Sequence, residues 1–193
     1  MAGTDRHRNL IRRRRIGVAA GLLALLWSLT FWSWVVSPSA ADPEGYVEAS
    51  DAVVLFVGGR GERLETALAL IDDELASALV IPNGLTPEWP AANEVCRAAD
   101  PGVEVFCPTP DPDDTRGEAR AIAALAEAEG WDFVTYVTSD YHVARAGQRL
   151  DACFDGRIQA VSADSDLGAV TWWRRALREW VGNAVVRTVD RGC

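Results

Sequence analysis

Apolar residues along this chain form one long uninterrupted stretch and then two alternating patterns. Ile16 to Val36 gives twenty-one residues without a charge, which at about 1.5 Å per residue cover roughly 30 Å of hydrocarbon. From residue 51 onward, short runs of β-branched and aromatic residues alternate with segments whose apolar residues recur every three or four positions. The pattern predicts a transmembrane helix followed by an α/β domain.

The short apolar runs predict five strands, at 52–57, 78–81, 103–106, 133–138 and 158–161. The segments of helical spacing predict helices at 62–76, 91–99, 115–129, 143–152 and 167–186. Strands that alternate with helices imply right-handed crossovers and a doubly wound, mainly parallel five-stranded sheet. The first run, AVVLFV, is continuously apolar, as expected of a strand that helices cover on both faces.

Charge and small residues around the apolar stretch predict the topology. Residues 1–15 form a basic tail in which Arg12 to Arg15 abut the stretch, so we expect the N-terminus to stay in the cytoplasm. The chain then crosses the cytoplasmic membrane once at 16–36, continues as a tether at 37–50 and forms an extracytoplasmic domain at 51–193. A cleaved signal peptide is the alternative, because Ser39-Ala40-Ala41 offers small residues to a peptidase, although the stretch exceeds the usual ~7–15-residue signal core.

Composition excludes several kinds of site. Residues 42–193 hold thirteen Arg and twenty-seven acidic residues, so we expect no nucleic-acid partner for this negative domain. The sequence has no Lys, which excludes Schiff-base chemistry and a Walker-type phosphate lysine. The only histidines are His7, in the basic tail, and His142, which excludes a multi-histidine zinc centre.

The four cysteines all lie in the part that we expect to be exported, where disulfides persist. Three pairings are possible. We favour Cys96 with Cys107 and Cys153 with Cys193, the second of which would attach the C-terminus to the domain. Four buried thiols are the alternative.

Glycine and polar residues follow the predicted strands, and parallel strands bring their carboxyl ends to one crevice. Gly58 and Gly59 allow close backbone approach to a ligand, and Arg60 and Arg63 add positive charge at a helix start. Asn83 follows the second strand. A tight strand-to-helix turn explains the glycines equally well.

The segment from Val137 to Ala146, VTSDYHVARA, is the sharpest local signal. Ser139, Asp140, Tyr141 and His142 cluster at a strand end, and Arg145 and Arg149 share a helical face with His142. An imidazole beside two guanidiniums suits an oxyanion or phosphate, with His142 as general acid or base and Asp140 beside it as second catalytic candidate. The alternative makes these residues a helix cap, a solvated first turn and surface ion pairs.

The loop before the helix at 115–129 carries further charge. Thr115 to Glu118 matches a capping box, S/T-x-x-E. Asp111, Asp113 and Asp114 could ligate a cation, but an acidic loop is usually solvated, so we predict no metal site. Arg116 is the fourth arginine, with Arg60, Arg63 and Arg145, that we expect near the crevice.

Three stretches in this order resemble the ElyC/SanA/YdcF (YdcF-like) family: DAVVLFVGGRGERLETAL, DTRGEARA and YVTSDYHVARA. The resemblance implies a Rossmann-like fold and a role in cell-envelope biogenesis or barrier function. Carried over by position, it implies a site made of Asp51, Gly58, Gly59, Arg63, Thr115, Ser139, Tyr141, His142 and Arg145. The chain departs from the family at Pro82-Asn83-Gly84, where relatives carry Ser-Gly-Gly. It also departs at Gly117 and Glu118, where relatives carry an acid and an amide.

Two functional hypotheses follow. In the first, the crevice binds a phosphate-bearing envelope precursor, an anionic small molecule or a lipid-linked one, and acts on it through His142. In the second, the protein is a non-catalytic anchored binding or scaffolding module. The sequence identifies no cofactor.

Overall fold

The computed structural model describes residues 2–36, 46–59, 61–98 and 102–193. The first element is a long helix, α1 (Ala2–Phe31), which continues as a π-helical segment (Trp32–Val36). Within them, Ile11–Val35 contains an 18-residue window with a mean hydropathy of 1.7 and is long and apolar enough to cross a membrane. Length and composition alone fit a membrane span and a signal sequence equally.

Five strands form one sheet in which every neighbouring pair is parallel. The strands are β1 (Ala52–Leu55), β2 (Ala78–Val80), β3 (Glu104–Phe106), β4 (Phe133–Ser139) and β5 (Arg157–Ala163), in the order β3-β2-β1-β4-β5. The chain therefore winds outward from β1 to β3, returns to the other side of β1 and winds outward again. This is the predicted doubly wound, Rossmann-like α/β fold.

Helices cover both faces of the sheet. They are α2 (Glu62–Asp72), α3 (Pro90–Arg97), α4 (Thr115–Glu129), α5 (Val143–Asp151) and α6 (Ala169–Thr188), with a 3-10 turn (Asp140–His142) between β4 and α5. The bounds of α4 are those predicted, and the other elements shift by one to four residues at their ends.

The core lies in two layers, one on each side of the sheet. Val54 and Phe56 point to the side of α4 and α5. Val53 and Leu55 alternate with them and pack on the side of α2 and α3. All four side chains are fully buried, so the continuous apolar run AVVLFV is explained by two covered faces.

Two disulfides hold the C-terminal end and the segment after β3 to this core. Cys96 in α3 is bonded to Cys107 after β3, and Cys153 after α5 is bonded to the C-terminal Cys193. These are the pairings that we favoured from the sequence. The C-terminal segment is also held by Arg149, whose guanidinium donates to the Asp190 carboxylate at 2.6 Å and does not line the crevice where we expected it.

The predicted tether is partly wrong. Residues 37–45 lie outside the described residues, but residues 46–50 belong to the domain. Val47 is buried in the core layer of α2 and α3. The Glu48 backbone N–H donates to Gln159 Oε1 at 3.1 Å, beside β5. The folded domain therefore begins before Asp51.

Candidate functional site

A cleft of about 350 Å³ opens at the carboxyl ends of β1 and β4, where the strand order reverses. This switch point is the usual ligand crevice of an open parallel sheet. The lining comes from the turns after β1 and β4 and from four helices: Val57, Gly58, Gly59, Arg63, Thr115, Tyr141, His142, Arg145, Arg175, Arg178 and Glu179. Seven of these were predicted site residues, and the structure brings them together.

The turn after β1 requires its two glycines. Gly58 and Gly59 have φ values of 127° and 79°, a region that other residues rarely adopt. A Cβ atom on Gly59 would lie 2.3 Å from Glu62 Oε1, and one on Gly58 would lie 3.0 Å from Arg63 Nη1. The glycines thus let the backbone pass over the first turn of α2 and form one wall of the cleft.

Arg63 holds the two central strands together at the base of the cleft. Its Nη1 donates to the carbonyls of Phe56 and Val57, both at 2.8 Å. Its Nε donates to Ser139 Oγ at 2.8 Å. Ser139 in turn donates to Glu62 Oε1 at 3.1 Å. Burial lowers the Arg63 pKa, and these bonds compensate for taking the guanidinium out of water.

Glu179 of α6 organises the opposite wall. Its Oε2 accepts from Arg145 Nε at 2.6 Å and lies 2.9 Å from His142 Nδ1, while its Oε1 accepts from Arg145 Nη2 at 3.0 Å. Arg145 Nη1 donates to Thr115 Oγ1 at 2.8 Å. Gly182 makes this approach possible, because a Cβ atom there would lie 3.0 Å from Arg145 Cδ.

Burial in this wall lowers the pKa of His142. Burial lowers its pKa to about 4 and outweighs the hydrogen bond to Glu179, which acts in the opposite direction. Burial raises the pKa of Glu179, but the hydrogen bonds from His142 and Arg145 prevail and lower it to about 2. At neutral pH a neutral imidazole therefore donates Nδ1–H to a carboxylate, which leaves Nε2 to accept a proton.

Three lining residues of α6 were missed from the sequence. Arg175 Nη1 donates to the Tyr141 hydroxyl. Arg178 is exposed and has no hydrogen-bond or ion-pair partner among the residues described. Arg175, Arg178 and Glu179 share a helical face at i, i+3 and i+4. This spacing is present in the sequence. The three side chains reach the cleft only because α6 packs against the 3-10 turn.

Glu118 has a different role from the one predicted. The capping box at 115–118 is wrong, since Asp114 is the N-cap and its Oδ1 accepts from the N–H groups of Arg116 and Gly117. Glu118 is only 6% exposed and accepts from the Val57 N–H at 3.0 Å. Burial raises its pKa to about 8, so the side chain is a protonated acid at neutral pH that ties α4 to the turn after β1.

Two predicted residues lie away from the cleft because the fold uses them elsewhere. Asp51 precedes β1, at the amino end of the sheet, and its Oδ2 accepts from the backbone N–H groups of Asp132 and Phe133. Asp140 does not line the cleft either. Its Oδ1 accepts from Ser165 Oγ at 3.0 Å and its Oδ2 from Trp172 Nε1 at 2.7 Å, so both oxygens hold neighbouring segments to the 3-10 turn.

Two further predicted residues also lie away from the cleft. Asn83 has a φ of 54° and donates to Asp113 Oδ1 at 2.6 Å, which closes the loops after β2 and β3 on each other. Arg116 pairs with Asp190 near the C-terminus and does not line the cleft. Arg60 lies outside the described residues.

The cleft carries a positive charge and several donors for an anion. Four arginines and one carboxylate line it. Helices α2 and α4 begin at the cleft, and α5 begins directly after its His142 wall, so their positive dipole ends add to the attraction. Among the described residues, no group of three or more His, Cys, Asp or Glu is placed to hold a metal ion. The arrangement suits an oxyanion bound by guanidinium groups beside a neutral imidazole.

Comparison with known proteins assigns no family to the chain. No protein-family model, curated protein or solved structure matches it.

Proposed function

We propose that this protein is anchored in the cytoplasmic membrane by α1, holds its α/β domain outside the cytoplasm and binds a phosphate-bearing envelope precursor in the cleft. One observation carries the proposal. Four arginines and a single carboxylate line the cleft, although residues 42–193 hold thirteen Arg and twenty-seven acidic residues. Positive charge concentrated in one crevice of an acidic domain suits an anionic ligand with several acceptor oxygens.

Packing at the end of α1 supports a retained anchor. Phe31 and Val35 are buried against Tyr141 and Ala176 of the domain. Cleavage in the segment after Val36 would remove both apolar side chains and expose the surface that they cover. A retained helix keeps this cluster intact.

The basic residues and the disulfides support an extracytoplasmic domain. Arg12 to Arg15 flank the start of the span, where the positive-inside bias retains them in the cytoplasm. Cys96–Cys107 and Cys153–Cys193 then lie on the oxidising side of the membrane. The resemblance to the ElyC/SanA/YdcF family agrees with this topology, and we propose membership of its membrane-anchored branch and a role in the cell envelope.

The hydrogen bond between Glu179 and His142 supports hydrolysis of the bound ligand. A water molecule at His142 Nε2 would transfer a proton to that nitrogen while its oxygen attacks phosphorus. The bond from phosphorus to the leaving oxygen breaks, and the leaving oxygen takes the proton back from the imidazolium. Arg145 and Arg178, which line the cleft, would bind the phosphate oxygens.

Identification of the bound molecule tests the proposal. The full chain is purified in mild detergent, and co-purifying phosphate-bearing molecules are measured by mass spectrometry. We expect a phosphate-bearing molecule with the wild-type protein and its loss in a His142→Ala, Arg145→Ala double variant. Equal recovery from both proteins would exclude the cleft as the binding site.

Release of inorganic phosphate from the recovered ligand separates the two functional hypotheses. We expect the wild-type protein to release phosphate and His142→Ala to bind the ligand without releasing it. Binding without release by the wild-type protein would favour the non-catalytic anchored module. Membrane fractionation with a size comparison to the full-length chain tests the anchor separately.

A further inference from the structure

Helix α6 exposes a continuous apolar stripe. Five large apolar side chains recur every three or four residues and are between 42% and 76% exposed: Val170, Trp173, Leu177, Val181 and Val185. Single exposed apolar residues are common, but a contiguous stripe along a whole helix marks a surface that another apolar phase covers.

The opposite face of α6 is fully used by the domain. Ala176, Glu179, Asn183 and Val186 are buried there, and Glu179 holds the cleft wall described above. The stripe therefore does not result from poor packing of α6. The helix has one face for the domain and a second, largely exposed apolar face, of which Trp173 contacts the end of α1.

The outer end of α1 packs beside this stripe. Phe31 stacks on Trp173, with ring centroids 5.3 Å apart. Trp180 contacts both Trp27 and Trp34, at 6.2 Å and 6.5 Å between centroids. Its Nε1 also donates to Thr30 Oγ1 at 3.3 Å. The apolar surface of the span thus continues onto α6.

These contacts fix the depth of α6 relative to the span. The apolar stretch ends at Val35, and Trp27 lies about 12 Å before that end at 1.5 Å per residue. Trp180 contacts Trp34, one residue before that end, as well as Thr30 and Trp27, and therefore lies level with the last two turns of the span. A helix at that level lies at the outer edge of the acyl chains, next to the head groups.

The charges of α6 complement such a surface. The helix contains four Arg and one Glu, in a domain that is otherwise strongly acidic. Arg174 and Arg178 lie beside the stripe, and Arg187 lies over the Trp34 ring at 4.9 Å. Apolar and tryptophan side chains flanked by arginines are typical of helices that lie in the plane of the membrane interface.

We propose that α6 lies on the extracytoplasmic surface of the membrane, with its stripe among the acyl chains and its arginines among anionic head groups. This inference depends on the anchored topology proposed above. It also refines the ligand, because Arg175 and Arg178 of the cleft then lie at the level of the head groups. The phosphate that the cleft binds is therefore that of a membrane lipid.

Spin labels on the full chain test this arrangement. The four cysteines are disulfide-bonded, so a new one is labelled selectively. Labels are placed at Val181→Cys and Val170→Cys on the stripe, at Leu22→Cys in the span and at the exposed Ala128→Cys of α4 as the aqueous control. The protein is reconstituted in phosphatidylcholine and phosphatidylglycerol vesicles, and collision rates with oxygen and with a water-soluble nickel chelate are measured.

We expect both stripe labels to collide with the nickel chelate severalfold less often than the Ala128 label, and with oxygen more often. If the Leu22 label is shielded but the stripe labels are as accessible to the nickel chelate as the Ala128 label, the docking of α6 is wrong and the anchor is still supported. A Leu22 label that the chelate reaches freely would overturn the anchor and the docking together.

Discussion

The two rims of the sheet use charged residues in opposite ways. At the amino rim, Asp51 accepts two backbone N–H groups at 2.8 and 2.9 Å, and Glu48 pairs with Arg157 at 2.7 Å in solvent. At the carboxyl rim, Glu179 binds Arg145 and His142 in a largely buried wall, and further arginines line the cleft beside it.

The two rims differ in the charge that remains after neighbouring residues have paired with each other. Charges at the amino rim satisfy the backbone or each other, whereas the carboxyl rim keeps an excess of guanidinium groups over carboxylates. A residue at the amino rim can be removed at the expense of stability alone. A residue at the carboxyl rim is expected to affect a ligand as well.

Glu179→Ala is expected to have the largest effect on stability. It leaves the buried His142 and the Arg145 guanidinium without their carboxylate, and loss of one partner of a buried pair costs about 3 kcal/mol. Glu48→Ala at the amino rim is the matched control, and we expect no measurable change because that pair is exposed. Urea denaturation of the full chain in detergent measures both, and equal losses would contradict the contrast between the rims.

Glu118→Gln tests whether a buried acid beside the cleft makes the stability of the protein depend on pH. The Glu118 pKa is raised from 4.5 to about 8 in the folded protein. Its protonated form therefore contributes fully to the free energy of unfolding below pH 4.5, and this contribution is lost as pH rises through 8. His142, with a pKa lowered to about 4, has the opposite effect, because its contribution to the free energy of unfolding is lost as pH falls below about 6.5. We therefore expect the wild-type protein to lose about 2 kcal/mol between about pH 6.5 and 8 through Glu118.

The Gln variant keeps an acceptor for the Val57 N–H but cannot ionise, so its stability should change much less over the same interval. Denaturation midpoints of both proteins across this range give the comparison. A parallel decline in the two proteins would show that Glu118 is already ionised in the fold.

Asp51→Ala is expected to have a smaller effect, confined to stability. The Asp132 and Phe133 N–H groups lose their acceptor, which costs about 1 kcal/mol where water can replace it. Binding of dodecyl phosphate in detergent should be unchanged. A loss of binding would show that Asp51 belongs to the ligand site, as the family resemblance implies.

The fold could be predicted from the sequence because local patterns determine it. The run AVVLFV is apolar at every position because both of its faces are buried, and α4 has helical spacing with glycine at its end. Parallel topology then forces the ends of β1 and β4 together, which is why Gly58, Gly59 and His142 meet as predicted.

The rest of the site depends on packing that the sequence does not encode locally. Arg175, Arg178 and Glu179 reach the cleft only because α6 packs on α5 and the 3-10 turn. Arg116 turns away from it because the C-terminal segment offers Asp190. Adjacent candidates also compete, since Asp114 and Thr115 are both good caps and the structure uses Asp114.

The central claim is that the cleft binds the phosphate group of a lipid through its arginines. The direct measurement is equilibrium binding of dodecyl phosphate to the full chain in detergent, with Arg178→Ala and Arg174→Ala compared with the wild type. Both arginines are exposed on α6, but only Arg178 lines the cleft. We expect Arg178→Ala to weaken binding about tenfold and Arg174→Ala to bind as the wild type does. Equal affinity of all three proteins, or equal weakening in both variants, would contradict the account.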